Sequence, residues 1–257
     1  MIAKGNTADV FEIGDNKVVK LFKTGYPLDS VRHEFENSKL LHTLDIPIAK
    51  SYELVTYEGR HGIVYDRIDG ESMLDILLQT EDVKKQATAL ALLHKRILAH
   101  QLPSAFSLKS ILKSNIERAN QLGAQWKAKL ITVLDELPGG NCFCHGDFHF
   151  GNVIVNRKEY YIIDYMNICH GPEYGDIART VYLLEMTPAN AENPGVVANI
   201  LNMKKRVTDI YLEEMGVSRE SLSDWLMVTA AARLSELNSA QKDETNAILD
   251  YLMVCGL

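Results

Sequence analysis

Residues 143–164 read FCHGDFHFGNVIVNRKEYYIID, and the rest of the chain is organised around them. Three groups lie at close spacing in this stretch: Asp147, Asn152 and Asp164. Asp147 and Asn152 belong to one short polar loop that runs from His145 through Gly151. Two apolar runs follow, Val153-Ile154-Val155 and Tyr160-Tyr161-Ile162-Ile163, with the polar residues Asn156 to Glu159 between them. That pattern predicts a hairpin, which would fold Asp164 back beside Asn152. A carboxylate and an amide then face one point. Such hard oxygen donors on short side chains suit Mg²⁺, which keeps waters and completes its shell with phosphates. Asp147 is left to accept a proton from a hydroxyl. Together these are the parts that phosphoryl transfer uses. Taken singly, Asp147 and Asn152 read as loop residues that cap their own backbone. Their occurrence together with the hairpin and a second Asp is what points to chemistry.

HGDFHFGN followed by IIDY resembles the catalytic core of the aminoglycoside phosphotransferase and choline kinase family, small-molecule relatives of the protein kinases. The kinase loop H-R-D-x-x-x-x-N is matched with Gly146 in place of Arg, the usual form in the small-molecule branch. Asp164 stands where the Asp of D-F-G stands, and is followed by Tyr165 and Met166 rather than by Phe and Gly. The resemblance implies an α+β, two-lobed, protein-kinase-like fold. Residues 1–67 would form a small antiparallel-sheet lobe with one helix, and residues 68–257 a larger, mostly helical lobe. It also implies transfer of the γ-phosphoryl group of ATP or GTP to a hydroxyl of a small molecule: an aminoglycoside, an amino alcohol or a sugar. Asp147 would orient and deprotonate that hydroxyl, and Asn152 and Asp164 would hold Mg²⁺. GPEYGDIART (171–180) is similar to the family's GDxxxDLA-type segment, so Asp176 would support the loop from below, together with His145.

Two other readings stand beside this one. A Ser/Thr protein kinase would carry a long activation segment, and none separates Asp164 from Asp176. A catalytically silent pseudokinase would not need Lys20, Asp147, Asn152 and Asp164 all at once.

Ahead of the core, Val10–Ile13 and Lys17–Phe22 read as strands around a Gly14-Asp15-Asn16 turn. The preceding Gly5, Asn6, Thr7 and Ala8 stand where the resemblance puts a phosphate loop. Their small side chains would let backbone N–H groups approach a phosphate. Lys20 sits in VVKLF, and a Lys inside an apolar strand is costly to bury without a partner. The resemblance gives it the α- and β-phosphates and a helix Glu. A helix predicted over Ser30–Leu44, capped by Asp29 or Ser30, supplies Glu34 beside the apolar stripe. Glu36 reads as solvated. Strands follow at Ser51–Tyr57 and His61–Tyr65. Asp66 to Gly70 reads as a hinge, where backbone groups near Tyr65 to Arg67 would bind adenine.

Beyond it the chain reads as helical. A helix over Ser72–Gln79 precedes a longer one capped by Thr80, with His94 on its apolar face as a core histidine. One or two helices fill 108–137. Three amphipathic helices close the chain, at about Val196–Met215, Ser218–Leu237 and Lys242–Val254. Glu213, Glu214, Glu236, Asp243 and Glu244 are the acidic side chains there that an acceptor pocket could use.

Charge and composition narrow the class. A net charge of −7 argues against a general nucleic-acid binder and is compatible with a cationic acceptor. No stretch has the length to span a bilayer. MIAKGNTADVF has no apolar run behind its Lys, so no signal peptide is read. Four Cys, at 142, 144, 169 and 255, lack metal spacing and read as reduced thiols of a cytoplasmic protein.

Overall fold

The computed structural model describes the chain apart from residues 6, 103–105 and 190–192. Asn6, a candidate phosphate-loop residue, therefore lies outside the described residues. β1 (Ala3–Lys4), β2 (Ala8–Gly14) and β3 (Lys17–Phe22) are successive antiparallel strands. Asp15 and Asn16 turn between β2 and β3 at positive φ, which Asp and Asn tolerate best among side-chain-bearing residues. α1 (Leu28–Leu41) follows, with Pro27 at its N-cap; Asp29 lies in its first turn, and neither Asp29 nor Ser30 caps it. Pro fits there because its fixed φ suits a helix start and its missing N–H has no intrahelical partner to lose. β4 (Ser51–Tyr57) and β5 (Arg60–Asp66) form a hairpin, and β5 also pairs with β3. The sheet order is β1-β2-β3-β5-β4, so β3 is an interior strand.

β6 (Glu71–Ser72) leads into α2 (Met73–Thr80), where the Ser72 hydroxyl accepts the Asp75 N–H. α3 (Val83–Leu98) is capped by Asp82, whose carboxylate accepts the Lys85 N–H. Thr80 does not cap it; its hydroxyl donates back to the Ile76 carbonyl in the last turn of α2. α4 (Leu108–Arg118) and α5 (Ala124–Glu136) divide the next segment. β7 (Cys142–Cys144) enters the loop of Asp147. β8 (Val153–Asn156) and β9 (Glu159–Ile162) are the expected hairpin, registered Val153 to Ile162 and Asn156 to Glu159. β10 (Cys169–Gly171) pairs with β7. α6 (Glu173–Val181) runs into a π-helical turn over Tyr182–Met186. α7 (Pro194–Met215) ends on Gly216 at φ 75, the left-handed residue that commonly terminates a helix. α8 (Ser223–Arg233) begins at Ser223 rather than at Ser218, because Ser218 accepts the Ser221 N–H in a local turn that competes with helix. α9 (Lys242–Val254) closes the chain.

The chain forms two compact units. Met1–Thr80 and Phe150–Ile168 make the first; Glu81–His149 and Cys169–Leu257 make the second. The β8–β9 hairpin belongs to the first because β8 pairs with β6 and Ile162 bridges Ile48. These units part after Thr80, whereas the lobe boundary read from the sequence stands at 67/68. The first unit buries Phe22, Val31, Ile63, Met73 and Val153. The second buries Leu90, Ile97, Phe143, Phe148, Tyr211 and Trp225. Fully burying one such side chain contributes roughly 1.5–3 kcal/mol. Among the described residues no helix is long and apolar enough to cross a membrane.

Candidate active site

In the first unit Lys20 is the centre of an ion-pair cluster. Its Nζ donates to Glu34 Oε1 at 2.8 Å, to Glu34 Oε2 at 3.0 Å and to Asp164 Oδ1 at 3.1 Å. Glu34 lies on the inner face of α1 and is 1% exposed. It also accepts the Tyr65 hydroxyl at 2.9 Å, while Glu36 is exposed. Burial alone would push the Lys20 ammonium toward neutrality. The two carboxylates outweigh it and hold Lys20 charged, above its ordinary range. Burial also lifts the Glu34 carboxyl, and Asp164 adds to that, against Lys20 and Tyr65. Sequence reasoning gave Tyr65 a backbone role only; its side chain braces Glu34, and nothing local in VYDR signals that. Arg67 donates its backbone N–H to the Asn16 carbonyl at 2.8 Å, and its side chain pairs with Glu12 and Asp69.

Between β1 and β2 the Gly5 N–H donates to the Ala8 carbonyl at 2.9 Å. The Thr7 carbonyl is taken by the Lys23 N–H at 2.8 Å. A Cβ on Gly5 would sit 3.0 Å from the Ala8 oxygen, so this close backbone approach favours glycine.

Asp164 stands just past β9, at φ 68. The Ile163 N–H donates to the Asn152 carbonyl at 3.1 Å, which ties the two ends of the hairpin. Tyr165, wholly buried, anchors the next position. Its hydroxyl donates to the Ile162 carbonyl and accepts the Ala49 N–H at 2.9 Å, and Asn37 Nδ2 donates to its carbonyl at 3.1 Å. Asp164 itself keeps 39% of its side chain open to solvent. Among the described residues no cluster of three or more His, Cys, Asp or Glu could hold a metal alone. One carboxylate and one amide fit an ion that arrives with phosphate and water as its other ligands.

In the second unit Asp176 supports the loop. Its Oδ2 accepts the His145 N–H at 2.7 Å and its Oδ1 the Gly146 N–H at 2.8 Å. His94 Nε2 lies 3.0 Å from Oδ2, and its Nδ1 is 2.5 Å from the Tyr211 hydroxyl. A carboxylate only accepts, so His94 Nε2 carries the proton. Asp176 is 0% exposed. Burial would raise its carboxyl, but His94, the Gly146 N–H and His145 hold it below the usual range. α6 starts at Glu173 with Pro172 at the N-cap, so Asp176 lies inside the first turn and is not the cap. Gly146 turns at φ 75, where the Arg of the protein-kinase loop would be strained.

Asp147 follows. Its N–H donates to His145 Nδ1 at 3.3 Å. Its carboxylate lies 3.7 Å from His149 Nε2 and 3.9 Å from the Arg179 guanidinium. Burial again works toward the neutral acid; His149, Arg179 and His145 overcome it and hold the carboxyl well below its usual range. The group is therefore ionised at neutral pH. Sequence reasoning missed His149 and Arg179. His149 lies in the quoted loop itself, and Arg179 is three residues along α6 from Asp176, which puts both on one helix face.

A model described as the phosphotransferase enzyme family matches residues 1–203. The chain belongs to that family. No curated protein matches it in sequence. Among solved structures, this phosphotransferase is similar in fold to a thermostable mutant of aminoglycoside phosphotransferase APH(4)-Ia, in a ternary complex with AMP-PNP and hygromycin B. Identity there is 13%, the TM-score is 0.69, and the alignment covers 98% of this chain and 90% of the other. It is also similar to an aminoglycoside-3'-phosphotransferase of type VIII, at 18% identity and TM-score 0.57, covering 89% and 94%. A putative fructosamine-3-kinase from Haemophilus somnus 129PT aligns at 13% identity and TM-score 0.59, covering 98% and 90%. These likenesses establish a protein-kinase-like fold, with an antiparallel N-terminal sheet and a helical C-terminal part.

Proposed function

We propose that this phosphotransferase moves the γ-phosphoryl group of ATP or GTP to a hydroxyl of a small molecule. One observation carries the reading above the others. A part-buried ammonium on an interior strand is held charged by two carboxylates, one of them open to solvent. An ion pair kept only for stability gains little over apolar packing, whereas a fixed cation beside an open carboxylate suits a metal–phosphate ligand. In this reading Lys20 neutralises phosphate oxygens, with Glu34 and Tyr65 keeping it aimed. Asn152 and Asp164 would hold Mg²⁺, which when bound neutralises charge on the β- and γ-phosphates. The segment between β1 and β2, with the small residues Thr7 and Ala8, would lie against phosphate. Asp147, ionised, would accept the hydrogen bond of the acceptor hydroxyl and fix its direction of attack.

The fold neighbours named above include enzymes of aminoglycosides and a putative fructosamine kinase. Their common ground is a polyhydroxylated acceptor, and that is the class proposed here. An amine on it is compatible with the net charge of −7. The thiols of Cys142, Cys144, Cys169 and Cys255 are all free, which fits a cytoplasmic setting.

Millimolar ATP or GTP with Mg²⁺ should raise the melting temperature. A ligand present at 100 times its Kd adds about 2.7 kcal/mol, or roughly 5–10 °C for a chain of this size. A folded sample that shows no shift would overturn the nucleotide half of the proposal. Asp164→Ala should abolish most of the shift, since it removes a metal ligand and one partner of Lys20. Asp147→Ala should leave it nearly intact. Equal loss in both variants would mean that the two carboxylates have been given each other's roles.

A further inference from the structure

α6 meets the loop with two charged side chains from one face. Asp176 and Arg179 are three residues apart, the spacing that places helix neighbours side by side. Asp176 takes the N–H groups of His145 and Gly146. Arg179 takes the opposite pole of the same backbone, its Nε donating to the Gly146 carbonyl at 3.2 Å. That carbonyl belongs to the peptide plane whose N–H is that of Asp147; Arg179 holds its carbonyl edge, while the Asp147 N–H goes to His145 Nδ1 and Asp176 holds the two planes before it. The other arm of the guanidinium donates to Glu236 Oε2 at 2.8 Å and stands 3.9 Å from Asp147 Oδ1. Glu236 is shared with Arg233 at 2.8 Å, and Arg233 Nε donates to Glu244 Oε1 at 2.9 Å. Glu244 also accepts the Tyr182 hydroxyl at 2.8 Å, from the π-helical turn that continues α6. Arg179 is only 9% exposed.

We propose that Arg179 is a positioning residue for Asp147, fixing the Gly146–Asp147 peptide plane and keeping the Asp147 carboxylate ionised and aimed, with Glu236 and Arg233 as its brace. The inference rests on the phosphotransferase reading of Asp147. A guanidinium kept only to pair with Glu236 would have no need of the loop carbonyl. Among the described residues, the titratable and charged groups near Asp147 within its unit include His145 and His149 from the loop and Arg179 from α6. Asp176 acts behind His145, and Glu236 and Arg233 act behind Arg179. Arg179 is a permanent cation 3.9 Å from Asp147 Oδ1, so its removal should weaken the hold on the ionised form.

Two readouts on the full chain test this. Carbon-13 NMR of labelled aspartate carboxyls, with the Asp147 signal assigned by its loss in Asp147→Asn, follows Asp147 without any acceptor. Arg179→Gln should move its titration midpoint upward by about one unit. A midpoint that stays put overturns the proposal. The second readout is turnover at saturating Mg-nucleotide. Arg179→Gln should lower kcat roughly tenfold to a hundredfold, the scale of a misplaced catalytic group, with nucleotide Kd changed by less than about twofold. Arg179→Lys keeps the charge but not the forked reach; its midpoint should stay low and its kcat fall between the two. Wild-type kcat in Arg179→Gln, or nucleotide affinity falling in step with kcat, overturns the proposal. If Arg179→Gln does not fold, Arg179→Lys decides alone, and wild-type kcat there is the refuting result. If the unaltered chain transfers phosphate to no hydroxyl, the phosphotransfer reading falls, and the Asp147 midpoint by itself decides on Arg179.

Discussion

Asp147→Ala should lower kcat by about 10² to 10⁴, the range for a positioned acid–base group. The low end of that range is the expected one, for two reasons. The transition state of phosphoryl transfer is loose, so the acceptor hydroxyl need not lose its proton early. Asp147 is also held well below the usual carboxylate range by His149, Arg179 and His145, against its burial. A carboxylate so firmly ionised is a weak base but a well-fixed acceptor of a hydrogen bond. Asp147→Asn keeps the shape and one accepting oxygen but cannot take the proton. If orientation dominates, Asp147→Asn retains more activity than Asp147→Ala. If proton acceptance dominates, the two are equally poor. The measurement is kcat for both variants with nucleotide saturating, and near-normal turnover in Asp147→Ala would remove this loop from the chemistry.

The largest effect on stability should come from Asp176→Ala. That change leaves two loop N–H groups and the His94 Nε2–H buried without their acceptor. Each buried donor left without its acceptor costs about 1–3 kcal/mol, and here three lose it together. Urea unfolding followed by the fluorescence of Trp126 and Trp225, both in the same unit, should show the loss; an unchanged midpoint would mean that the loop finds other partners. The same site has a pH signature. The Asp176 carboxyl is lowered in the folded chain, so its contribution is complete above the unfolded value and is lost as pH falls through the folded one. With an unfolded value near 3.9, wild type should lose this part of its stability below about pH 4. Asp176→Asn, less stable at neutral pH, should lack that part of the acid dependence.

The order of these elements was legible because each rests on local chemistry. VVKLF alternates into an apolar strand around one Lys, and the two apolar runs after Asn152 are separated by polar residues that can only turn. Glu34 and Glu36 were separable because one adjoins the apolar stripe of α1 and the other does not. Helix starts were less legible. Thr80 and Asp82 are both good caps by residue type; the contest is decided by the Thr80 hydroxyl, which donates to Ile76 and so finishes α2 instead. At α1 a proline with no side-chain donor or acceptor took the place expected of Asp29 or Ser30.

Least legible were the carboxylates of the C-terminal helices. Glu213, Glu214, Glu236, Asp243 and Glu244 look alike in sequence. Glu214 accepts the Thr88 hydroxyl at 3.0 Å, Glu244 joins Arg233 to Tyr182, and Glu236 joins Arg233 to Arg179. Arg179 and Glu236 are 57 positions apart. No periodicity reports a pairing at that distance, because hydrophobic spacing records which face is buried and not which charge awaits it.

That pairing also bears on how such a chain can be recombined. The family match ends at residue 203, while Glu236, Arg233 and Glu244 all lie beyond it. A chimera that kept the first 203 residues and took its last helices from a relative would exchange more than the helices themselves. It would inherit Arg179, itself only 9% exposed, with a new counter-ion or with none. Grafting a tail onto this phosphotransferase is therefore also a change of charge beside its loop, and the seam is safe only where the donor brings a carboxylate to the place of Glu236.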